Sequence, residues 1–330
     1  MPSWKSVQSK KKLKQKTKLA LSVLGLIIIL LLIAQFFKGF KALNSSWQMN
    51  VKKNYTWSGQ FNINLLLHLK NLSLVSYNPT DGKIIIVDIP GETYVEAANG
   101  SGKWQVRSLF DLGGDKLVKS TMQDFFAQPI DGFLDFSGEF KSKSAEELID
   151  FLRSGPFTGL KILPNIKTDL TLFELIRFKL GLSSVRFDKI TKINLSNILE
   201  KDKLADGTEI LTSDPNKLDV VLVDLADTLI KNEHKNIAIF NATEKAFFAQ
   251  KWARLITNIG ADVIITSNAQ TVVDKTIVSG DPSKTLDRIR QILNSCRDCD
   301  KITKSDEDFV SSRGQITIKL ASDLNDAFLK

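Results

Sequence analysis

The chain has 330 residues, enough for about two domains at ~100–200 residues each. Its 43% hydrophobic and 25% charged residues are typical of globular proteins and exclude wholesale disorder. Residues 1–18 carry seven lysines and no acid, so the formal charge of +8 leaves only +1 for the rest of the chain. That distribution argues against a nucleic-acid-binding domain, which shows its basic face within the fold, and two histidines exclude a His-rich metal cluster.

The first predicted element is a membrane-spanning helix. Residues 19–37 contain no charged side chain, and at ~1.5 Å per residue this helix approaches the ~30 Å hydrocarbon core. The alternative is a cleaved signal peptide, which has a shorter apolar stretch followed by small residues at a cleavage site. Here the apolar stretch runs into Gln35, Phe36, Phe37 and Lys38. We therefore predict an uncleaved signal anchor, a transmembrane helix over residues 19–38.

The lysines around this helix predict its orientation. Seven precede it, and four follow at Lys38, Lys41, Lys52 and Lys53. The flank with more positive charge stays in the cytoplasm, and here that is the N-terminal one. We therefore predict a single-pass protein of the cell membrane with a cytoplasmic tail, residues 1–18, and extracytoplasmic C-terminal domains. The tail suits anionic lipid headgroups. Nucleic-acid binding by this tail is the less favoured alternative, and we expect no nucleic-acid partner.

After a polar stalk at residues 39–56, strand and helix patterns alternate. Residues 57–67 alternate in polarity, and the apolar runs 72–77 and 83–89 flank the turn sequence Asn-Pro-Thr-Asp-Gly, which predicts a hairpin. Helical spacing follows at 113–127. Capping boxes at Ser144 and Thr171 predict two more helices.

A second unit begins near residue 235. Strand patterns at 236–240, 262–266, 276–278 and 314–320 alternate with helical patterns at 243–259 and 283–293. The predicted class is therefore mixed α/β (α+β). We predict one domain at residues 57–232 and a small βαβ-type domain at 235–324.

The two cysteines, Cys296 and Cys299, form a single C-x-x-C sequence. One such pair cannot fill a four-ligand zinc site. Redox chemistry would place the pair at the start of a helix in a thioredoxin-like context, whereas this pair follows a helical pattern. A short-loop disulfide, permitted outside the cytoplasm, is the favoured interpretation.

Several blocks of the sequence resemble the LytR-CpsA-Psr (LCP) family of cell-envelope proteins. LSLVSYNPTDGKIIIVDIPGETYV at 72–95 is similar to the family's strand, Asn-Pro turn and strand ending in Ile-Pro-Arg-Asp-Thr. QVRSLFDLGG at 105–114, PIDGFLDFSGE at 129–139 and residues 167–182 resemble later blocks. Residues 236–324 resemble the LytR C-terminal domain. The resemblance covers most of residues 60–324 and implies an LCP-like α/β domain followed by that C-terminal domain.

The resemblance also implies a function in cell-wall biogenesis. Catalytic members of the family are phosphotransferases that move a glycopolymer from polyprenyl pyrophosphate to peptidoglycan outside the membrane. Arginines hold the pyrophosphate, and acidic residues hold a divalent cation. Both neutralise charge that develops during phosphoryl transfer. The implied partners are membrane lipid, polyprenyl phosphate, and peptidoglycan or wall glycopolymer. The implied cofactor is Mg²⁺ if the protein catalyses, and otherwise none.

The sequence departs from the family at its charged positions. The family's Arg-Asp is here Gly91-Glu92, an expected acid falls at about Lys70, an expected Lys falls at Gln105, and an expected Asn falls at Arg107. Only one arginine lies in residues 137–165, where the family has several. Since each charge-assisted bond contributes ~1.5–3 kcal/mol, we predict that phosphotransfer is weak or absent.

Four charged residues remain as site candidates. Arg107 and Arg153 are candidate phosphate ligands, each with a surface or ion-paired arginine as the alternative. Glu92 and Asp111 are candidate metal ligands, each with a solvated acid as the alternative. The first hypothesis is a pseudoenzyme that binds a polyprenyl-linked or wall-polymer ligand, or organises partners. The second is an active phosphotransferase that uses Arg107, Arg153 and Glu92. No catalytic residue is assigned.

Overall fold

The computed structural model describes residues 55–324 except 139, 141–142, 156–165, 295–306 and 311, and also Gly25. These residues, Gly25 apart, belong to one compact unit, residues 51–330. The predicted tail, the anchor except Gly25, and the stalk up to residue 54 lie outside the described residues. Within the described part of the chain, no helix is long and apolar enough to cross a membrane.

The first half is built on a six-stranded mixed sheet in the order β7-β6-β1-β2-β3-β8. Its strands are β1 Ile63–His68, β2 Leu72–Asn78, β3 Lys83–Ile89, β6 Gly132–Asp135, β7 Lys167–Thr168 and β8 Ile190–Asn194. β1 runs parallel to β6, β3 runs parallel to β8, and β2 lies antiparallel between β1 and β3. The carboxyl ends of β1, β3, β6 and β8 therefore meet at one edge of the sheet.

The predicted hairpin is confirmed as β2 and β3. Asn78 starts the turn, because its Oδ1 accepts hydrogen bonds from the backbone N–H groups of Thr80 and Asp81 at 2.9 and 3.0 Å. Gly82 ends it with φ of +57°, a left-handed conformation that glycine adopts without strain. Both strands are buried on both faces, which is the pattern of a sheet covered on each side.

Helices cover the two faces of this sheet: α1 Leu109–Phe126, α2 Ala145–Arg153 and α3 Leu172–Ser184. α1 packs on the face of Leu66, Leu74 and Ile85. α3 packs on the other face, where Phe178 meets Tyr77 edge-on, with 6.1 Å between ring centroids. The capping box predicted at Thr171 is confirmed, whereas Ser144 caps α2 through its own hydroxyl alone.

The second half has a four-stranded sheet in the order β12-β11-β14-β13. Its strands are β11 Asn236–Asn241, β12 Asp262–Asn268, β13 Ile277–Gly280 and β14 Ile316–Leu320. The helices of this half are α6 Phe248–Asn258, α7 Lys284–Leu293 and α8 Glu307–Val310. β11, α6 and β12 form a βαβ unit with parallel strands. α6 starts five residues later than predicted, because Asn241 Oδ1 accepts from the N–H and hydroxyl of Thr243 and holds that segment in a turn.

Smaller elements lie between these parts. They include the ribbon strands β4 Tyr94–Glu96, β5 Lys103–Gln105, β9 Glu200–Lys203 and β10 Glu209–Thr212, the short helices α4 Pro215–Val221 and α5 Thr228–Glu233, and several 3-10 turns. The predicted mixed α/β class is confirmed. The division between residues 57–232 and 235–324 stays a prediction.

Candidate functional site

A polar cleft of about 570 Å³ opens at the sheet edge where β1, β3 and β8 end. Open α/β sheets bind their ligands beyond the carboxyl ends of the strands. The cleft is lined by the β1–β2 turn, the end of β3, the start of α2 and the end of β8. Its lining residues are Leu69, Lys70, Asn71, Ser73, Asp88, Ile89, Pro90, Gly91, Glu92, Lys143, Ser144, Ala145, Asn194 and Ser196.

Two lysines bring positive charge to the cleft. Lys70 is exposed in the β1–β2 turn. Lys143 precedes α2, with its Nζ 5.4 Å from the ring centroid of Phe140 and 5.3 Å from that of Phe151. Ser144, the next residue, caps α2 by accepting a hydrogen bond from the backbone of Glu147 at 3.2 Å. The partial positive charge of a helix N-terminus therefore adds to the charge of Lys143.

The negative charge of Asp88, near the end of β3, is already neutralised by contacts within the protein. Asp88 Oδ1 accepts a hydrogen bond from Ser73 Oγ at 3.0 Å, and Asp88 Oδ2 lies 3.2 Å from Lys192 Nζ. Lys192 also lies 3.4 Å from Glu146 Oε2. The hydrogen bond and charge of Asp88, followed by those of Glu146, raise the pKa of Lys192. Asp88 is therefore engaged within the protein.

Glu92 and Arg107 lie beside each other at the surface. The backbone N–H of Arg107 donates to the carbonyl of Gly91 at 3.1 Å. Arg107 Nη1 lies 3.9 Å from Glu92 Oε1, and both side chains are more than half exposed. Glu92 lines the cleft, whereas Arg107 is beside it and does not. The pair is a loose surface contact next to the cleft.

Arg153 and Asp111 lie elsewhere. The guanidinium of Arg153 donates to Asp150 Oδ1 at 3.0 Å and to the carbonyl of Val185 at 2.6 and 3.2 Å, so it fastens α2 to the end of α3. Asp111 is exposed in the first turn of α1. Neither residue lines the cleft. Their roles as phosphate and metal ligands stay predictions.

The cleft residues do not fit a divalent cation. Mg²⁺ needs several oxygen ligands in near-octahedral geometry. Asp88 pairs with Lys192, and Glu92 faces Arg107. Over the residues that the structure describes, no three or more His, Cys, Asp or Glu side chains are grouped to hold a metal ion. Cys296 and Cys299 lie outside the described residues, so their disulfide stays a prediction.

Sequence reasoning missed several residues of this site. Lys143 and Ser144 come from the start of α2, and Asn194 and Ser196 come from the end of β8. The sequence could have pointed to Ser144, because its capping sequence marks a helix N-terminus. It could not have pointed to Asn194, because the position of Asn194 depends on the parallel pairing of β8 with β3, which local sequence does not specify.

The chain is similar in fold to several solved structures. Bacillus subtilis TagV is 16% identical, with 50% of this chain and 95% of that chain covered and a TM-score of 0.42. The LytR-CPS2A-psr family protein YwtF (TagT), solved with bound octaprenyl pyrophosphate lipid, is 16% identical, with coverages of 53% and 93% and a TM-score of 0.39. A transcriptional regulator from Enterococcus faecalis is 14% identical, with coverages of 61% and 88% and a TM-score of 0.37.

No protein-family model matches the chain. No curated protein matches it either.

Proposed function

We propose that this chain is a membrane-anchored extracytoplasmic protein of cell-envelope biogenesis that binds an anionic polyprenyl-linked or wall-polymer ligand and does not transfer it. One observation carries the proposal. The cleft lies at Lys70 and Gly91-Glu92, where the resemblance to the LytR-CpsA-Psr family implies an acid and an Arg-Asp pair that this sequence lacks, and no arginine is among the described residues that line it.

The cleft suits an anion bound by lysines. Lys70 and Lys143, from the β1–β2 turn and the start of α2, are the two lysines among the described residues that line the cleft. Lysine binds phosphate as a point charge, and a helix N-terminus favours negative charge. Asn71 and Asn194 also line the cleft, and each carries a side-chain amide that can donate hydrogen bonds. A phosphate or pyrophosphate group attached to a larger molecule fits this arrangement.

The same cleft is poorly equipped for phosphoryl transfer. That reaction depends on positioning and on neutralising the charge of the transferred group with metal ions and guanidinium groups. Arg107 does not line the cleft and lies 3.9 Å from Glu92, and Arg153 is held by Asp150 and Val185. The acidic residues do not fit a divalent cation. Binding without transfer is therefore the function that the described geometry supports best.

The membrane location is the second part of the proposal. The uncharged span at residues 19–37 is preceded by seven lysines, which favours a cytoplasmic N-terminus. The cleft and the second sheet then lie outside the membrane, where lipid-linked wall precursors and peptidoglycan occur.

Binding is tested on the full chain purified in detergent from its own membranes. Organic extraction and mass spectrometry are expected to recover a polyprenyl phosphate or pyrophosphate. Titration with octaprenyl pyrophosphate is then compared for Lys70→Ala, Lys143→Ala and the control Lys103→Ala, an exposed lysine on β5 outside the cleft. Each cleft variant is expected to bind about tenfold more weakly, the equivalent of ~1.4 kcal/mol. Equal binding by all three variants would overturn the assignment of the cleft.

Transfer is tested separately with a pyrophosphate-linked glycan, peptidoglycan and Mg²⁺. We expect no product above that of a chain-free reaction. Product formation that requires Glu92 and Arg107 would establish the alternative of an active phosphotransferase. The result of the transfer assay, whether or not product forms, leaves the conclusion of the binding assay unchanged.

A further inference from the structure

Helix α3 has two apolar faces. The inner face packs into the core through Leu175, Phe178 and Leu182. The outer face is formed by Phe173, Ile176 and Leu180, which are 74%, 41% and 58% exposed. At about 100° per residue, these two sets lie on opposite sides of the helix. A surface helix normally presents polar residues opposite its core face, so α3 departs from the pattern of a helix that faces only water.

A fourth exposed apolar residue follows the helix in the chain. Phe187 lies in a 3-10 turn, residues 187–189, shortly after α3, and is 73% exposed. Two phenylalanines, an isoleucine and a leucine thus occur on one short segment. We call this set, Phe173, Ile176, Leu180 and Phe187, the α3 apolar face. Several large apolar side chains exposed on one short segment are typical of a contact with another protein or with a membrane.

The chain arriving from the predicted anchor is fastened to this same helix. The backbone N–H of Trp57 donates to Glu174 Oε1 at 2.7 Å, and Arg177 Nη1 donates to the carbonyl of Trp57 at 2.7 Å. Gly59 lies along the helix too, since an added Cβ would meet Arg177 Cδ at 2.7 Å. Eighteen residues separate Lys38 from Trp57, and the nineteen Cα–Cα steps between the two span at most ~65 Å when fully extended. The tether therefore keeps α3 within reach of the bilayer that holds the anchor.

The charge around the α3 apolar face also suits a lipid surface. Lys167, Arg186 and Lys189 are exposed on the segments that flank α3. Asp188 is an exposed acid between two of them, and it pairs with Arg186 at 3.0 Å. Helices that lie in the membrane interface combine bulky apolar residues with basic residues that meet anionic headgroups. A tether further raises the local concentration of the two surfaces.

We propose that the α3 apolar face lies on the outer surface of an anionic phospholipid bilayer, with its four apolar side chains among the lipid headgroups and upper acyl chains. The inference rests on the membrane anchoring in the proposed function, and it adds a second contact that fixes how the folded unit faces the membrane. It does not depend on which ligand the cleft binds.

The test uses photocrosslinking of the full chain in proteoliposomes of phosphatidylglycerol and phosphatidylcholine. p-Benzoylphenylalanine is placed at Phe173 in one sample and at Val272 in the control. Val272 is an 84% exposed apolar residue in the second half of the chain, so it matches Phe173 in exposure. After irradiation, mass spectrometry of the labelled peptide is expected to show at least five times more lipid adduct at position 173. Equal yields at the two positions would overturn the proposal.

Two further readouts separate this inference from the others. Alkaline carbonate extraction reports on the anchor alone. If the chain resists extraction but gives no excess adduct at position 173, the anchor is supported and the α3 contact is overturned. If the chain is extracted but gives excess adduct before extraction, the α3 contact is supported and the anchor is overturned. Crosslinks between two copies in place of lipid adducts would assign the face to a dimer and would also overturn the proposal.

Discussion

Arg288 and Asp131 form an ion pair 3.0 Å long between the two halves of the folded unit. Arg288 lies on α7 in the second half, and Asp131 directly precedes β6 in the first. Their side chains are only 3% and 8% exposed. Asp131 Oδ2 also accepts a hydrogen bond from the backbone of Asn64 at 2.9 Å, and the guanidinium carbon of Arg288 lies 5.6 Å from the ring centroid of Phe61. The pair is therefore built into the contact between the halves.

Removing one partner of this pair should destabilise the protein strongly. Arg288→Met leaves the Asp131 carboxylate buried without its cation, and breaking a buried pair in this way costs about 3–5 kcal/mol. The matched control is Arg186→Met, which removes an exposed arginine from its pair with Asp188 and should cost about 0–1 kcal/mol. Denaturant unfolding of the full chain in detergent measures both.

The double variant Arg288→Met with Asp131→Leu sharpens this test. Because it removes both charges, it should recover part of the stability that the single variant loses. Losses of equal size in Arg288→Met and Arg186→Met would contradict the central role of the buried pair.

A second prediction concerns the attachment of Trp57 to α3. Glu174 Oε1 accepts from the backbone of Trp57 at 2.7 Å, and Glu174 Oε2 accepts from the backbone of Thr171 at 2.7 Å. Glu174→Ala should therefore cost about 1–3 kcal/mol, because two backbone donors lose their acceptor. Glu147→Ala is the control, since Glu147 occupies the equivalent capping position of α2 but is exposed.

Protease sensitivity near Trp57 checks the local effect of that change. Glu174→Ala should accelerate cleavage at Lys52 and Lys53, just before the attached segment, whereas Glu147→Ala should not. Equal cleavage rates in the two variants would show that Glu174 does not hold this segment.

The sequence predicted local features better than long-range ones. The β2–β3 hairpin and the Thr171 cap were predictable because the residues that specify them, such as Asn78 and Gly82, are neighbours in the chain. The cleft itself was not predicted, although Glu92, one of its lining residues, had been singled out as a candidate metal ligand. Lys143 and Asn194 lie near Glu92 because of the position of α2 and the pairing of β8 with β3. Neither the position of a helix nor the pairing of distant strands can be recognised from the local sequence. The α3 apolar face was also missed, because Phe173 and Leu180, seven residues apart, have the spacing of a core face, and only the structure shows that α3 buries its opposite side.

A third prediction concerns pH. Burial, opposed in part by Lys251, raises the pKa of Asp124 above its ordinary value of 3.8. Between that value and the raised pKa, the folded state binds more protons than the unfolded state, so the contribution of Asp124 to stability falls as pH rises. The stability of the wild type relative to Asp124→Asn should therefore decrease as pH rises above 3.8 and then level off. Urea unfolding of both proteins over pH 3–8 measures the difference, and an increase with pH would contradict the prediction.

The last prediction restores a charge that the family resemblance implies at the cleft. Gly91 lines the cleft beside Glu92, and an added Cβ there would lie 3.3 Å from the Cβ of Arg107, so the side chain of Arg107 must move by a few tenths of an ångström. Gly91→Arg places a guanidinium, which can bind pyrophosphate through two parallel hydrogen bonds, at the mouth of the cleft.

We expect Gly91→Arg to bind octaprenyl pyrophosphate about tenfold more tightly than the wild type, which corresponds to ~1.4 kcal/mol. Gly91→Gln is the matched control, because it adds a side chain of similar reach without charge and crowds Arg107 in the same way. Titration of the three proteins in detergent separates the effect of charge from that of bulk. If Gly91→Arg and Gly91→Gln bind equally, the added guanidinium does not reach the ligand, and the pyrophosphate group does not sit beside Glu92.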